Sequence, residues 1–178
     1  MTTKQSVLSA ARPYLPWAVF ALILGAVFVP NWRLFVGYFE QHPVTPHAPD
    51  WALAARLPLM IKLHVLAALS ALVIGGVILF KPKGSGFHRT LGWAWVLAMA
   101  AAAISSLFIT ELNRGAWSII HLLSGWTIIG LPMAIYAIRR KQVQTHQRAM
   151  TGMFIGGLIV AGVLAFMPGR FMFDFLLG

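Results

Sequence analysis

Residues 59–80 read LMIKLHVLAALSALVIGGVILF, and apart from Lys62 and His64 in its first two turns this run carries no ionisable side chain. Crossing a hydrocarbon core of about 30 Å takes roughly 20 residues of helix, so a run of this length and composition reads as a membrane-spanning helix. His64 then lies inside the hydrocarbon. An ionisable group is costly there and marks a functional position by default.

Working outward, four further runs have comparable length and apolarity: Pro16–Val36, Leu91–Thr110, Ala116–Ile138 and Met150–Pro168. With 59% of the 178 residues apolar and 10% charged, a water-facing surface could not be assembled, which excludes a soluble fold. The fold class expected is all-α: a polytopic membrane helical bundle with five transmembrane helices. It forms one membrane domain over 1–178, divided into an N-terminal helix plus periplasmic lid loop (1–58) and a four-helix histidine-bearing core (59–178). The first run follows Lys4 and Arg12 but ends in Val27-Phe28-Val29-Pro30 without a small-x-small pattern, and it reads as a retained helix rather than a cleaved signal. The absence of cysteine removes disulfides, thiolate ligands and cysteine nucleophiles.

The net charge of +10 would suggest nucleic acid in a soluble protein; in a membrane protein its distribution over the loops matters more. The N-terminus and the second and fourth loops hold Lys4, Arg12, Lys81, Lys83, Arg89, Arg139, Arg140, Lys141 and Arg148, with no acid. The other side holds Arg33, Arg56, Lys62, Arg114 and Arg170 together with the acids Glu40, Asp50, Glu111 and Asp174. Counting lysine and arginine puts the first side in the cytoplasm, giving an inner-membrane, multi-pass protein with its N-terminus inside.

Four histidines sit in or at the start of the last four spans: His64, His88, His121 and His146. His64 and His121 lie near the outer ends of their spans, His88 and His146 at the cytoplasmic ends. Since His64 is 17 residues from Lys81, the two layers should be roughly 25 Å apart. No single zinc or copper ion could gather all four. A pair of imidazoles with no thiolate and no intramembrane carboxylate is a poor zinc or iron site. It suffices for haem, because the porphyrin brings four nitrogens and the protein supplies only axial ligands. Two b haems are thus expected, one between His64 and His121 and one between His88 and His146.

Position i+4 lies on the same helix face one turn on, and it is small after three of the four: Ala68, Gly92 and Gly125. His146 is followed by Met150. Cations near both layers, Arg89 and Arg148 inside among them, suit haem propionates. Interfacial histidine and arginine that merely meet headgroups remain the competing reading for His88 and His146. Trp93, Trp95, Trp117 and Trp126 either line a cofactor or, for Trp93 and Trp117, form an interfacial belt. Glu111 pairs with Arg114 or relays a proton. His42 and His47, among Pro43, Pro46 and Pro49, read as loop histidines in an irregular lid. Small-residue stripes at Ala67, Ala71 and Gly75, and at Gly152 and Gly156, mark close helix approach.

The strings IKLHVLAAL around His64, HRTLGWAWVLAM from His88, SIIHLLS around His121 and HQRAMTGMFIGGLIVAGVLAFMPGR from His146 resemble the bacterial membrane-protein family known as domain of unknown function 2306. The resemblance runs from about Leu59 to the C-terminus and implies no activity. In spacing alone, the helix order of the histidines also resembles the cytochrome b561 family, in which the second and fourth helices ligate one haem and the third and fifth the other. That likeness implies transmembrane electron transfer, with a quinone or a redox protein as partner.

Three functions stay in view. The first is a b-type transmembrane electron carrier, an oxidoreductase in the broad sense. The second is a non-catalytic subunit of a larger membrane complex, and the third a proton or small-solute transporter using His64 and His121. The lipid bilayer is a partner of all three and nucleic acid of none. Neither a Ser-His-Asp arrangement nor a phosphate-binding glycine loop is present.

Overall fold

The computed structural model describes residues 25, 29, 32–110 and 119–178, and every regular element among them is helical. In chain order these are α1 (Trp32–Gln41), α2 (Trp51–Arg56), α3 (Leu59–Phe80), α4 (Gly86–Ser106), α5 (Ile119–Arg139) and α6 (Val143–Gly152). A π-helical segment, Met153–Val160, carries α6 into α7 (Ala161–Ala165), and α8 (Phe171–Leu176) follows. Three continuous helices are long and apolar enough to cross a membrane: Leu59–Phe80, His121–Arg139 and Val143–Ala165. Helix α4 is as long, but its ends carry His88-Arg89-Thr90 and Ser105-Ser106. The run Pro16–Val36, except for its last residues, and Glu111, Arg114 and Trp117 lie outside the described residues.

The turns between these helices are set by local chemistry. The side-chain amine of Lys83 donates to the carbonyls of Ile78, Leu79 and Lys81, satisfying orphan acceptors at the end of α3. Ser85 caps α4 by accepting from the His88 backbone N–H at 3.1 Å, and Gly84 takes φ +80° in between. Helix α5 ends with Lys141 at φ 61°, where Gln142 N donates to Ala137 O at 2.9 Å and Lys141 N to Ile138 O at 3.0 Å. That pairing is a Schellman closure with lysine in the left-handed position glycine usually takes.

These two tight turns make α3 and α4, and likewise α5 and α6, antiparallel neighbours; α4 also packs on α5, and the π segment packs against both α3 and α5. The core is Ala71, Trp95, Met99, Leu131, Ala134, Met153 and Leu158. Within lipid, helices associate through packing rather than hydrophobicity, which favours small residues at contacts. Ala71 and Gly75 are buried while Ala67 is only partly so. A Cβ on Gly75 would lie 2.6 Å from the Phe154 ring and from Trp95 Nε1, so only glycine admits this approach. Gly152 and Gly156 form a groove for the Trp126 ring, whose atoms would stand 3.7 and 3.5 Å from added Cβ atoms. The π segment starts one residue past Gly152 and carries Gly156 and Gly157 into the bundle against Trp126, Met99 and Thr127.

The stretch expected to be an irregular lid contains two helices. The proline-free WRLFVGYFEQ forms α1, and the chain is irregular only after it, over the segment that carries Pro43, Pro46 and Pro49. Helix α1 belongs to one unit (residues 1–46) and α2 to a second (47–177). In the second, the chain before α2 pairs with α8: His47 N donates to Leu176 O at 3.0 Å and Asp50 N to Phe175 O at 3.1 Å. Trp51 meets Phe175 edge-on at 5.5 Å. Asp50 also caps α2 through Leu53 N at 2.9 Å.

Candidate functional site: two histidine levels in a helical bundle

At one level of the bundle, His64 of α3 places Nδ1 at 2.9 Å from the Ala102 carbonyl of α4. A carbonyl only accepts, so Nδ1 carries the proton and Nε2 of the neutral ring keeps the lone pair. Ser105 Oγ stands 3.4 Å from the same nitrogen while giving its own proton to Ala101 O at 2.7 Å. On the far side of α4, Ser106 donates to Ala103 O at 2.8 Å and its Oγ is hydrogen-bonded to Ser124 Oγ of α5. His121 is buried one turn before Ser124. His64 is therefore tied to the last turns of α4 through the Ala102 carbonyl, and the turn of α5 that follows His121 is tied to them through the Ser106–Ser124 pair.

At the other level, His146 of α6 donates Nδ1–H to the Ala134 carbonyl of α5 at 3.0 Å. His88 sits in the first turn of α4, ahead of the apolar run Leu91–Thr110. Burial holds its imidazole below the ordinary range, and the positive charges of His146 and Lys83 lower it further. His88 Nδ1 is buried with no hydrogen-bond partner among the described residues. From His88 to Ala102 is 14 residues of α4, and from His121 to Ala134 is 13 of α5, so the levels lie about 20 Å apart along both helices.

The space beside these histidines differs from position to position. A Cβ built on Gly92 or on Gly125 meets nothing within 4 Å, leaving a gap one turn from His88 and from His121. Ala68 instead packs its methyl on the core. Trp95 is buried in that core and Trp126 fills the Gly152–Gly156 groove, so both are packing residues, whereas Trp93 is exposed. Arg89 and Arg148 are exposed at the His88–His146 end. Lys62 is committed to the Ala55 carbonyl at 2.7 Å, and Arg140 lies over the Tyr136 ring with its Nε 3.0 Å from the hydroxyl. His42 and His47 bond locally, to Tyr38 O at 2.9 Å and Ala48 O at 2.7 Å. Among the described residues no three histidine or carboxylate groups converge as a metal cluster.

Ser105, Ser106, Ser124 and Thr127 are the site residues that sequence reasoning missed. All four are buried, Thr127 bonding back to Leu123 O at 2.9 Å. Ser124 stands one turn from His121 in the sequence, a signal that was present, whereas Ser105 and Ser106 meet His64 and Ser124 only across helices.

His64 and His146 thus hold Nδ1 against a carbonyl of a neighbouring helix, which frees Nε2, and the open positions at Gly92 and Gly125 lie one turn from His88 and His121. No protein of curated function and no solved structure matches this chain. A family model described as "Predicted membrane protein (DUF2306)" matches residues 61–177, a span that takes in all four histidines and every hydrogen bond described at the two levels, and the chain belongs to that family.

Proposed function

We propose that this protein is a multi-pass inner-membrane electron carrier with five spans and a cytoplasmic N-terminus. It would hold one b haem between His64 and His121 toward the outer face and another between His88 and His146 toward the cytoplasm. The observation carrying this reading is the fixed tautomer at both levels. His64 and His146 each commit Nδ1–H to a backbone carbonyl of a neighbouring helix, the support that orients a ligating imidazole and raises its basicity. The glycine gaps at Gly92 and Gly125 support it, since a macrocycle needs room beside its axial ligand. Arg89 and Arg148 are free to meet propionates at the cytoplasmic level.

The haem would supply reversible one-electron chemistry at iron, its potential tuned by imidazole ligation, burial and nearby charge. The chain's own residues orient the rings and keep water from them. Electrons would pass between a cytoplasmic or quinone-level donor and a periplasmic acceptor. The test is the absorbance of protein purified from haem-replete cells. A b-type Soret band that shifts on dithionite reduction is expected, with His64→Ala and His146→Ala each removing one of two haems. Absence of the band would overturn the proposal.

A second reading has its own support. The cross-helix bonds of His64, His146 and Ser106 also serve as polar glue, as an accessory subunit of a larger membrane complex would use them. Stable co-purification with a partner and no bound haem would select it.

A further inference from the structure

Helix α4 ends in a hydrogen-bonding hub that reaches both neighbouring helices. Its Ala102 carbonyl receives the His64 Nδ1–H of α3 at 2.9 Å, with Ser105 Oγ 3.4 Å from the same nitrogen. One residue on, Ser106 gives its proton to Ala103 O at 2.8 Å. Its oxygen also meets the Ser124 hydroxyl of α5, one turn from His121. Both serines of α4 are buried, at 6% and 9% exposure, so water does not compete for these bonds. Each bonds a carbonyl of α4 and at the same time faces a side chain of a neighbouring helix.

We infer that Ser105 and Ser106 are positioning residues that set the register of the His64 and His121 imidazoles across α4. What the pair then holds rests on the electron-carrier reading. The register itself does not. Severing the Ser106–Ser124 bond leaves His64 tied to α4 and lets the His121 turn of α5 move relative to it. Severing the Ser105 contact leaves α5 in place and loosens the His64 ring alone.

The chain has no cysteine, which makes the test direct. Leu63 and Leu122 are exposed neighbours of the two histidines, and Leu63→Cys/Leu122→Cys protein in nanodiscs takes two spin labels for pulsed dipolar distance measurement. Ser106→Ala and Ser124→Ala should broaden the distance distribution, and Ser106→Thr, which keeps the hydroxyl, should restore it. Thr90→Ala removes an exposed hydroxyl that bonds only within α4 and should leave the distribution unchanged. In haem-loaded protein the outer low-spin signal and midpoint potential should shift in Ser105→Ala and Ser106→Ala while the inner ones stay. A Ser106→Ala distribution that coincides with wild type overturns the inference. If it broadens in protein that takes up no haem, the positioning role stands and the electron-carrier reading falls.

Discussion

The bundle's tightest contact offers a comparison between two adjacent glycines of α3. A methyl on Gly75 would lie 2.6 Å from Phe154 Cδ2, Phe154 Cε2 and Trp95 Nε1, while a methyl on Gly76 would meet nothing within 4 Å. Trp95 has no room to withdraw, being 5% exposed in the core, so Gly75→Ala must push α3 away from the π segment or force side chains off their rotamers. Overpacking of this kind costs roughly 1–3 kcal/mol. Alanine returns up to about 1 kcal/mol over glycine in helix propensity, leaving Gly75→Ala between neutral and about 2 kcal/mol destabilised. Gly76→Ala receives the propensity gain with no clash. Both substitutions lie in the same helix, so the propensity gain cancels in their difference, and about 1–3 kcal/mol of separation reports the clash alone. Equilibrium unfolding of the two variants in mixed micelles, followed by circular dichroism, measures that separation. Equal stabilities would refute the packing described for α3, α4 and the π segment.

Other expectations follow from the same geometry. Gly125→Ala, which like Gly76→Ala meets nothing within 4 Å, should gain up to about 1 kcal/mol of helix propensity, whereas Gly125→Phe should keep the helical fold and lower haem per chain, read by absorbance against protein concentration. His88 has its imidazole held below the ordinary 6.5 by burial, then by His146 and Lys83. Its neutral form is therefore favoured in the folded state; that contribution is complete above about pH 6.5 and is lost as pH falls from there through the lower folded value. Histidine-selective ¹⁵N NMR should show it titrating below that point, and Lys83→Gln should move it upward; an unmoved value would refute the proximity of Lys83. Removing the Lys83 amine also frees three carbonyls at the end of α3, so the same variant should lower thermal stability by about 1 kcal/mol.

The spans and histidine levels were legible because both are local properties of the chain. Twenty apolar residues declare a membrane helix, and the rise of about 1.5 Å per residue converts sequence separation into depth along it. The glycine pair Gly152 and Gly156 announced a close approach without naming what enters it, because the Trp126 ring comes from another helix. The serines escaped notice for a related reason. Serine in an apolar helix reads as a tolerated small residue until a partner helix supplies Ser124 or His64. The π segment has no sequence period of its own, and its glycines look like those of any helix contact. Helix α1 begins inside the expected first span and runs past Val36 to Gln41, where the nearby Pro43, Pro46 and Pro49 make the chain look like loop.

The central claim is that each histidine level holds a haem, and counting haems answers it most directly. A pyridine haemochrome assay on protein purified from haem-replete cells should return two b haems per chain, falling to one in His64→Ala and in His146→Ala. A wild-type count of zero would contradict the account.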